Sequence, residues 1–151
     1  MSQLPRPQGH HSITPSFVVP NSAKVIDFML TAFDAQVVDR FDGPNGSVMH
    51  AEVMVGDSVV MLGDCPPGTA PMPAVLSYYV ADGPTVDATY ARALAAGATT
   101  VTAPKDQFYG YRSACLTDCG GNRWTICAVI EIVSPEEMQQ RKAALMAGPS
   151  A

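Results

Sequence analysis

Apolar residues in this chain follow two spacings. Ile26, Met29, Leu30 and Phe33 fall at i, i+3, i+4 and i+7, which lays one apolar stripe along a helix. Asn21 or Ser22 can cap its start. Val86, Tyr90, Ala93 and Leu94 form an equivalent stripe, and Gly97 behind it supplies a left-handed terminator. Elsewhere the period is two. Val48 to Val55, then Gly56-Asp57, then Ser58 to Leu62 reads as a hairpin. So does Arg112 to Asp118, then Gly120-Gly121-Asn122, then Arg123 to Ala128. Glycine accepts positive φ at such turns, and Asp or Asn tolerates it. In the strand around His50, Met49, Ala51, Val53 and Val55 share one face, and Val48, His50, Glu52 and Met54 share the other. Ser134-Pro135-Glu136-Glu137 predicts a last helix, with a cap serine, a proline at the first helical position and glutamates favoured by the helix N-terminus.

The pattern repeats. Ser16-Phe-Val-Val-Pro-Asn21 is similar to Ser77-Tyr-Tyr-Val-Ala-Asp82, and each run precedes a helix and then a hairpin. Two copies of one β-α-β-β-β unit of about 50 residues account for this. The predicted organisation is a flexible tail at 1–12, a first module at 13–64, a proline-rich linker at 65–73, a second module at 74–132, and a C-terminal helix and tail at 133–151. Residues 13–132 together make one domain of the α+β class.

Composition narrows the function. With 47% hydrophobic and 15% charged residues, the 151-residue chain carries enough apolar material for a core. A net charge of −5 and a pI near 4.9 argue against nucleic acid and anionic membrane as partners, since both need a basic face. No apolar run reaches the roughly 18 residues a spanning helix needs. The first eleven residues contain no apolar core, so a secretory signal is not expected and a cytoplasmic location is. Cys65, Cys115, Cys119 and Cys127 lack paired CxxC spacing and read as reduced thiols rather than a zinc site. Symmetry about Gly120–Gly121 would set Cys115 opposite Cys127.

Several local sequences carry a family resemblance: Val48-Met-His-Ala-Glu52, Gly56-Asp-Ser-Val-Val-Met-Leu62, Phe108-Tyr-Gly-Tyr-Arg-Ser113, Asp118-Cys-Gly-Gly-Asn-Arg-Trp124 and Val133-Ser-Pro-Glu-Glu137. With the doubled βαβββ unit, they resemble the glyoxalase/bleomycin-resistance (vicinal oxygen chelate) superfamily, in particular its PhnB-like branch. The resemblance implies two tandem modules whose sheets form a cup, helices on the outside, a ligand inside and a homodimer. Metal-dependent members take His and Glu ligands at positions that fall here on Thr14, Met61, near Val75 and on Thr125. None of these is His, Asp or Glu, so no metal or other cofactor is expected. A divalent metal held by His50 and Glu52, with His10 or His11 swinging in, is the minority alternative; otherwise the two tail histidines are expected to be solvated.

The resulting expectation is metal-independent binding of a small, planar or aromatic organic ligand. Met54, Met61, Ser77, Tyr79, Tyr109, Tyr111, Arg112 and Thr125 are the candidate ligand-binding residues. Aromatic rings offer stacking surfaces, and a guanidinium offers a clamp for a carboxylate. Whether there is turnover stays open. The alternative is a glyoxalase-like enzyme, either a lyase or dioxygenase, or a metal-free acid–base catalyst using His50 and Glu52, because imidazole titrates near neutrality and a carboxylate can orient it. Trp124 is read as core.

Overall fold

Two βαβββ units follow one another in the computed structural model, which describes residues 5–149. The first holds β1 (Ser16–Val18), α1 (Ser22–Phe33), β2 (Gln36–Asp42), β3 (Val48–Val55) and β4 (Ser58–Gly63). The second holds β5 (Val75–Tyr79), α2 (Gly83–Ala95), β6 (Thr99–Asp106), β7 (Tyr111–Thr117) and β8 (Arg123–Val129), and α3 (Pro135–Ala147) follows. Each unit builds a four-stranded sheet, in the order β1-β4-β3-β2 and β5-β8-β7-β6. The first strand of each runs parallel to the last and the other pairs are antiparallel. Identical order in both sheets is the structural form of the internal repeat.

One core spans both units. Phe33, at the end of α1, packs 5.3 Å from Phe28, 5.2 Å from Tyr78 and 4.8 Å from Trp124, so an aromatic side chain of the first unit is seated on the second sheet. Trp124 is 2% exposed, which bears out its reading as core. Its indole N–H donates to Asp118 Oδ2 at 2.9 Å, and the same carboxylate accepts from the backbone of Gly120 and Asn122. Burial of that polar cluster is tolerable because its members satisfy one another.

Some local expectations are corrected. Asn21 does take the N-cap position of α1, in the left-handed region (φ 57°), but its side chain caps nothing. Asp64, from beyond β4, accepts from Ser22 N–H at 2.8 Å and from Val48 N–H at 2.7 Å, tying the helix start to the start of β3. In β3, Ala51, Val53 and Val55 are buried as expected, while Met49 is 62% exposed and Val48 is buried instead. A bulge explains this: Phe41 pairs with His50 and Asp42 with Val48, leaving Met49 without a partner. In α2 the buried set is Gly83, Val86, Thr89 and Ala93, and Leu94 turns outward. Cys115 faces Thr125, and Cys127 faces Ser113, because the turn from Asp118 to Asn122 closes through an Asp118 N–H to Asn122 C=O bond at 2.9 Å and so centres on Gly120. All four thiols are free. Among the described residues, no helix is long and apolar enough to cross a membrane.

Candidate functional site

Strand register decides which side chains share a face, because directly paired residues point the same way. In the first sheet Ser16 pairs with Met61, and Met61 with Glu52. Met54 and His50 lie two residues either side of Glu52, so His50, Glu52, Met54 and Met61 occupy the face opposite the buried Ala51 and Val53. In the second sheet Ser77 pairs with Thr125 and Thr125 with Cys115; Tyr79 pairs with Cys127, and Tyr111 with Val129. These residues lie opposite the buried Trp124 and Ile126. Both sheets therefore keep one open face, and these faces gather all the candidate residues except Tyr109 and Arg112.

Tyr109 joins the set from the loop before β7. Its ring lies 5.2 Å from Tyr111 and 5.3 Å from Phe108, and Tyr111 lies 6.1 Å from Tyr79, all edge to face. The result is a row Phe108–Tyr109–Tyr111–Tyr79 that is exposed at Phe108, Tyr109 and Tyr79 and half-buried at Tyr111, with Tyr79 59% exposed. The loop is fixed by Gly110, whose φ of +89° favours glycine. Its carbonyl accepts from Ile130 N–H at 2.9 Å and Glu131 N–H at 3.0 Å, and a Cβ there would collide with the Glu131 backbone. Tyr111 beside it, and then the Cys127 thiol, raise the Tyr79 phenol above its ordinary range. Burial pushes the Cys127 thiol upward as well, which disfavours a nucleophilic thiolate.

Arg112 is not brought to this row. It follows Tyr111 on the strand and projects to the helix side. Its guanidinium grips Asp87 of α2 through two bonds, at 2.8 and 3.1 Å, and Asp106 at 2.8 Å. A fork held by two carboxylates ties β7 to α2 and leaves little of it for a ligand.

His50 and Glu52 are brought together, His50 Nε2 lying 3.3 Å from Glu52 Oε1. The first corrected expectation at the site is the tail. His10 is docked, with a side chain 12% exposed and Nε2 at 3.1 Å from Glu52 Oε2. His11 Nε2 lies 3.3 Å from Ser58 Oγ. The approach of a tail histidine to Glu52 belongs to the minority alternative, here with no metal between them, whereas the contact with Ser58 has no signal in a segment without periodicity.

A cleft of about 510 Å3 lies between the two units. Val55 and Val60, Leu76 and Tyr78, and Trp124 supply apolar walls, the segment with Ile13 and Pro15 closes one side, and His11, Asp57 and Ser58 add polar groups. Ser77 and Tyr79 also line it, so the cleft reaches the end of the aromatic row. Its size suits a drug-sized organic molecule.

At the positions that the resemblance matches to metal ligands, Thr14, Met61, Val75 and Thr125 offer two hydroxyls, a thioether and an aliphatic chain. The Thr14 hydroxyl already donates to the His11 carbonyl at 3.1 Å. This donor set does not fit a transition metal, which favours imidazole, thiolate or carboxylate. Among the described residues, no group of three or more His, Cys, Asp or Glu is arranged to hold one.

The family model "Glyoxalase/Bleomycin resistance protein/Dioxygenase superfamily" matches residues 9–126. Uncharacterized protein Mb0911c of Mycobacterium bovis is 34% identical over 139 residues, covering 85% of this chain and 90% of that protein. Among solved structures, TioX from Micromonospora sp. ML1 superposes with a TM-score of 0.62 at 21% identity, covering 82% of this chain and 100% of that one. A PhnB protein from Bacillus cereus does so with 0.58 at 15% identity, covering 78% and 99%. At these identities the structural likenesses speak for the fold.

Proposed function

The chain belongs to the glyoxalase/bleomycin resistance protein/dioxygenase superfamily, and from that membership we propose that it binds a small planar or aromatic organic molecule without a metal. The observation that carries this reading is the largely exposed row Phe108–Tyr109–Tyr111–Tyr79, continued at Tyr79 by an apolar cleft. Exposed aromatic rings set edge to face cost hydration and bring nothing to the core; they become useful when a flat partner stacks on them. Met54 and Met61 on the other open face are polarisable side chains that adapt to varied ligand shapes. A second copy of the chain, bringing one open face against another, would complete a cup and shield both from water.

The test uses a naphthalene sulfonate dye as probe. The wild-type protein is expected to bind it stoichiometrically, and Tyr79→Ala and Tyr111→Ala are each expected to weaken binding about 2- to 10-fold, the value of one aromatic contact. Unchanged affinity in both variants would refute the site. Sedimentation is expected to give twice the 15.9 kDa chain mass.

A second reading is favoured by the 3.3 Å contact between His50 and Glu52. With Nε2–H donated to the carboxylate, the other ring nitrogen is free as a base, giving metal-free acid–base chemistry on a bound metabolite. His50→Ala would then abolish turnover and leave binding intact.

A further inference from the structure

Most carboxylates of this protein pair with an arginine or with backbone N–H groups. Asp64 and Asp82 cap helices, and Asp118 holds a turn. Glu52 is different. It sits 21% exposed on the open face of the first sheet, and each of its oxygens meets an imidazole: Oε1 that of His50, on the same strand, and Oε2 that of His10, from outside the sheet.

His10 arrives on a strap with two pins. Val59 N–H donates to the Gly9 carbonyl at 2.8 Å, and Met61 N–H to the Pro15 carbonyl at 2.9 Å. Among the described residues, 10–14 make no backbone bond to β4 between these pins, and Ile13 is 88% exposed. Gly9 lies flat on the face: its φ is +77°, and a Cβ would run into Met54 and Val59. A short segment with little holding it thus lies across an open sheet face and offers one N–H-bearing ring to a carboxylate.

We propose that Glu52 anchors a cationic or N–H-donating group of a small organic ligand, and that His10 is the occupant the chain itself supplies until such a ligand displaces it. This rests on the ligand-binding reading above and adds the chemistry at one end of the ligand. An amidine or amine matches a carboxylate with two accepting oxygens, and a ligand ending in a carboxylate is repelled. The strap lowers the apparent affinity by the fraction of molecules in which it is docked.

Benzamidine is the probe and benzoate its control, followed by amide resonances of labelled protein. In His10→Ala the Val59 amide, freed from Gly9, is expected to exchange about five-fold faster while the Met61 amide is unchanged. Benzamidine is expected to bind His10→Ala about five-fold tighter than wild type. It should also speed Val59 exchange in wild type and lose binding in Glu52→Gln. Unaltered Val59 protection in His10→Ala, equal benzamidine affinity in Glu52→Gln, or equal binding of benzoate would each overturn the proposal. Dye binding in the same variants keeps the two readings apart. Its retention alongside a negative benzamidine result sinks only the Glu52 anchor, whereas insensitivity of the dye to the tyrosine variants sinks the aromatic site.

Discussion

Asp64 is one residue in two jobs: it caps α1 and holds the start of β3. Its replacement by alanine leaves the Ser22 and Val48 amides short of an acceptor. A loss of about 1–2 kcal/mol in unfolding free energy is expected from chemical denaturation, the range for a lost cap. Phe33→Ala should cost more, about 3–5 kcal/mol, because it empties the junction of Phe28, Tyr78 and Trp124. Gly110→Ala is expected to destabilise on two grounds, a positive φ and a collision with the Glu131 backbone. At this scale the sequence speaks unevenly. The burial of Trp124 follows from its phase on the strand, whereas Asp64 as the cap partner of a helix 42 residues away in sequence leaves no local trace.

Among the elements, α3 has the weakest hold. It buries none of its residues, and its attachment runs through Arg141, which donates to Glu131, Glu137 and the Phe108 carbonyl. Arg141 holds the Glu131 carboxyl below its ordinary 4.5. A carboxylate with a depressed folded-state pKa contributes stability that is fully present above the unfolded value and lost as pH falls through the folded one. Protection of the amides in 135–147, taken against the unstructured exchange rate at each pH, is therefore expected to fall below about pH 4.5 while protection in β7 and β8 is kept. Arg141→Ala should do the same at neutral pH. Legibility of the elements follows burial. Both hairpins show period-two patterning because one face is packed. All seven residues of β2 are exposed, so the strand has no alternation to read. The final helix was visible through its cap alone, with Glu137 N–H on Ser134 Oγ at 3.2 Å. Tyr111 and Arg112 are neighbours in sequence, but consecutive strand residues point to opposite sides, and the Arg112 partner Asp87 sits on a helix whose placement the sequence does not encode locally. The open faces of the candidate site are legible from strand alternation, and a tail histidine near Glu52 is there only as the minority alternative; the backbone pins of the strap and the cleft are not, since both depend on how non-periodic segments settle.

Across the whole molecule, the two units share one hydrophobic interior. Heating is expected to give a single cooperative transition seen alike by exchange at Val53, which reports the first unit, by exchange at Ile126, which reports the second, and by tryptophan fluorescence, which reports their junction. Two separate transitions would show that the units are energetically independent. That shared interior also bears on what happens when the backbone is cut. The connecting segment from Cys65 to Met72 is tethered by little more than the Val18–Met72 bridge, with N–H to O distances of 3.1 and 2.8 Å, and lies outside the aromatic junction. A protease nick at Gly68 should leave two pieces that stay together on a sizing column and part only in denaturant. Each half contributes side chains to the other's core, so the nicked chain would behave as a split protein whose halves are held by packing rather than by the thread between them.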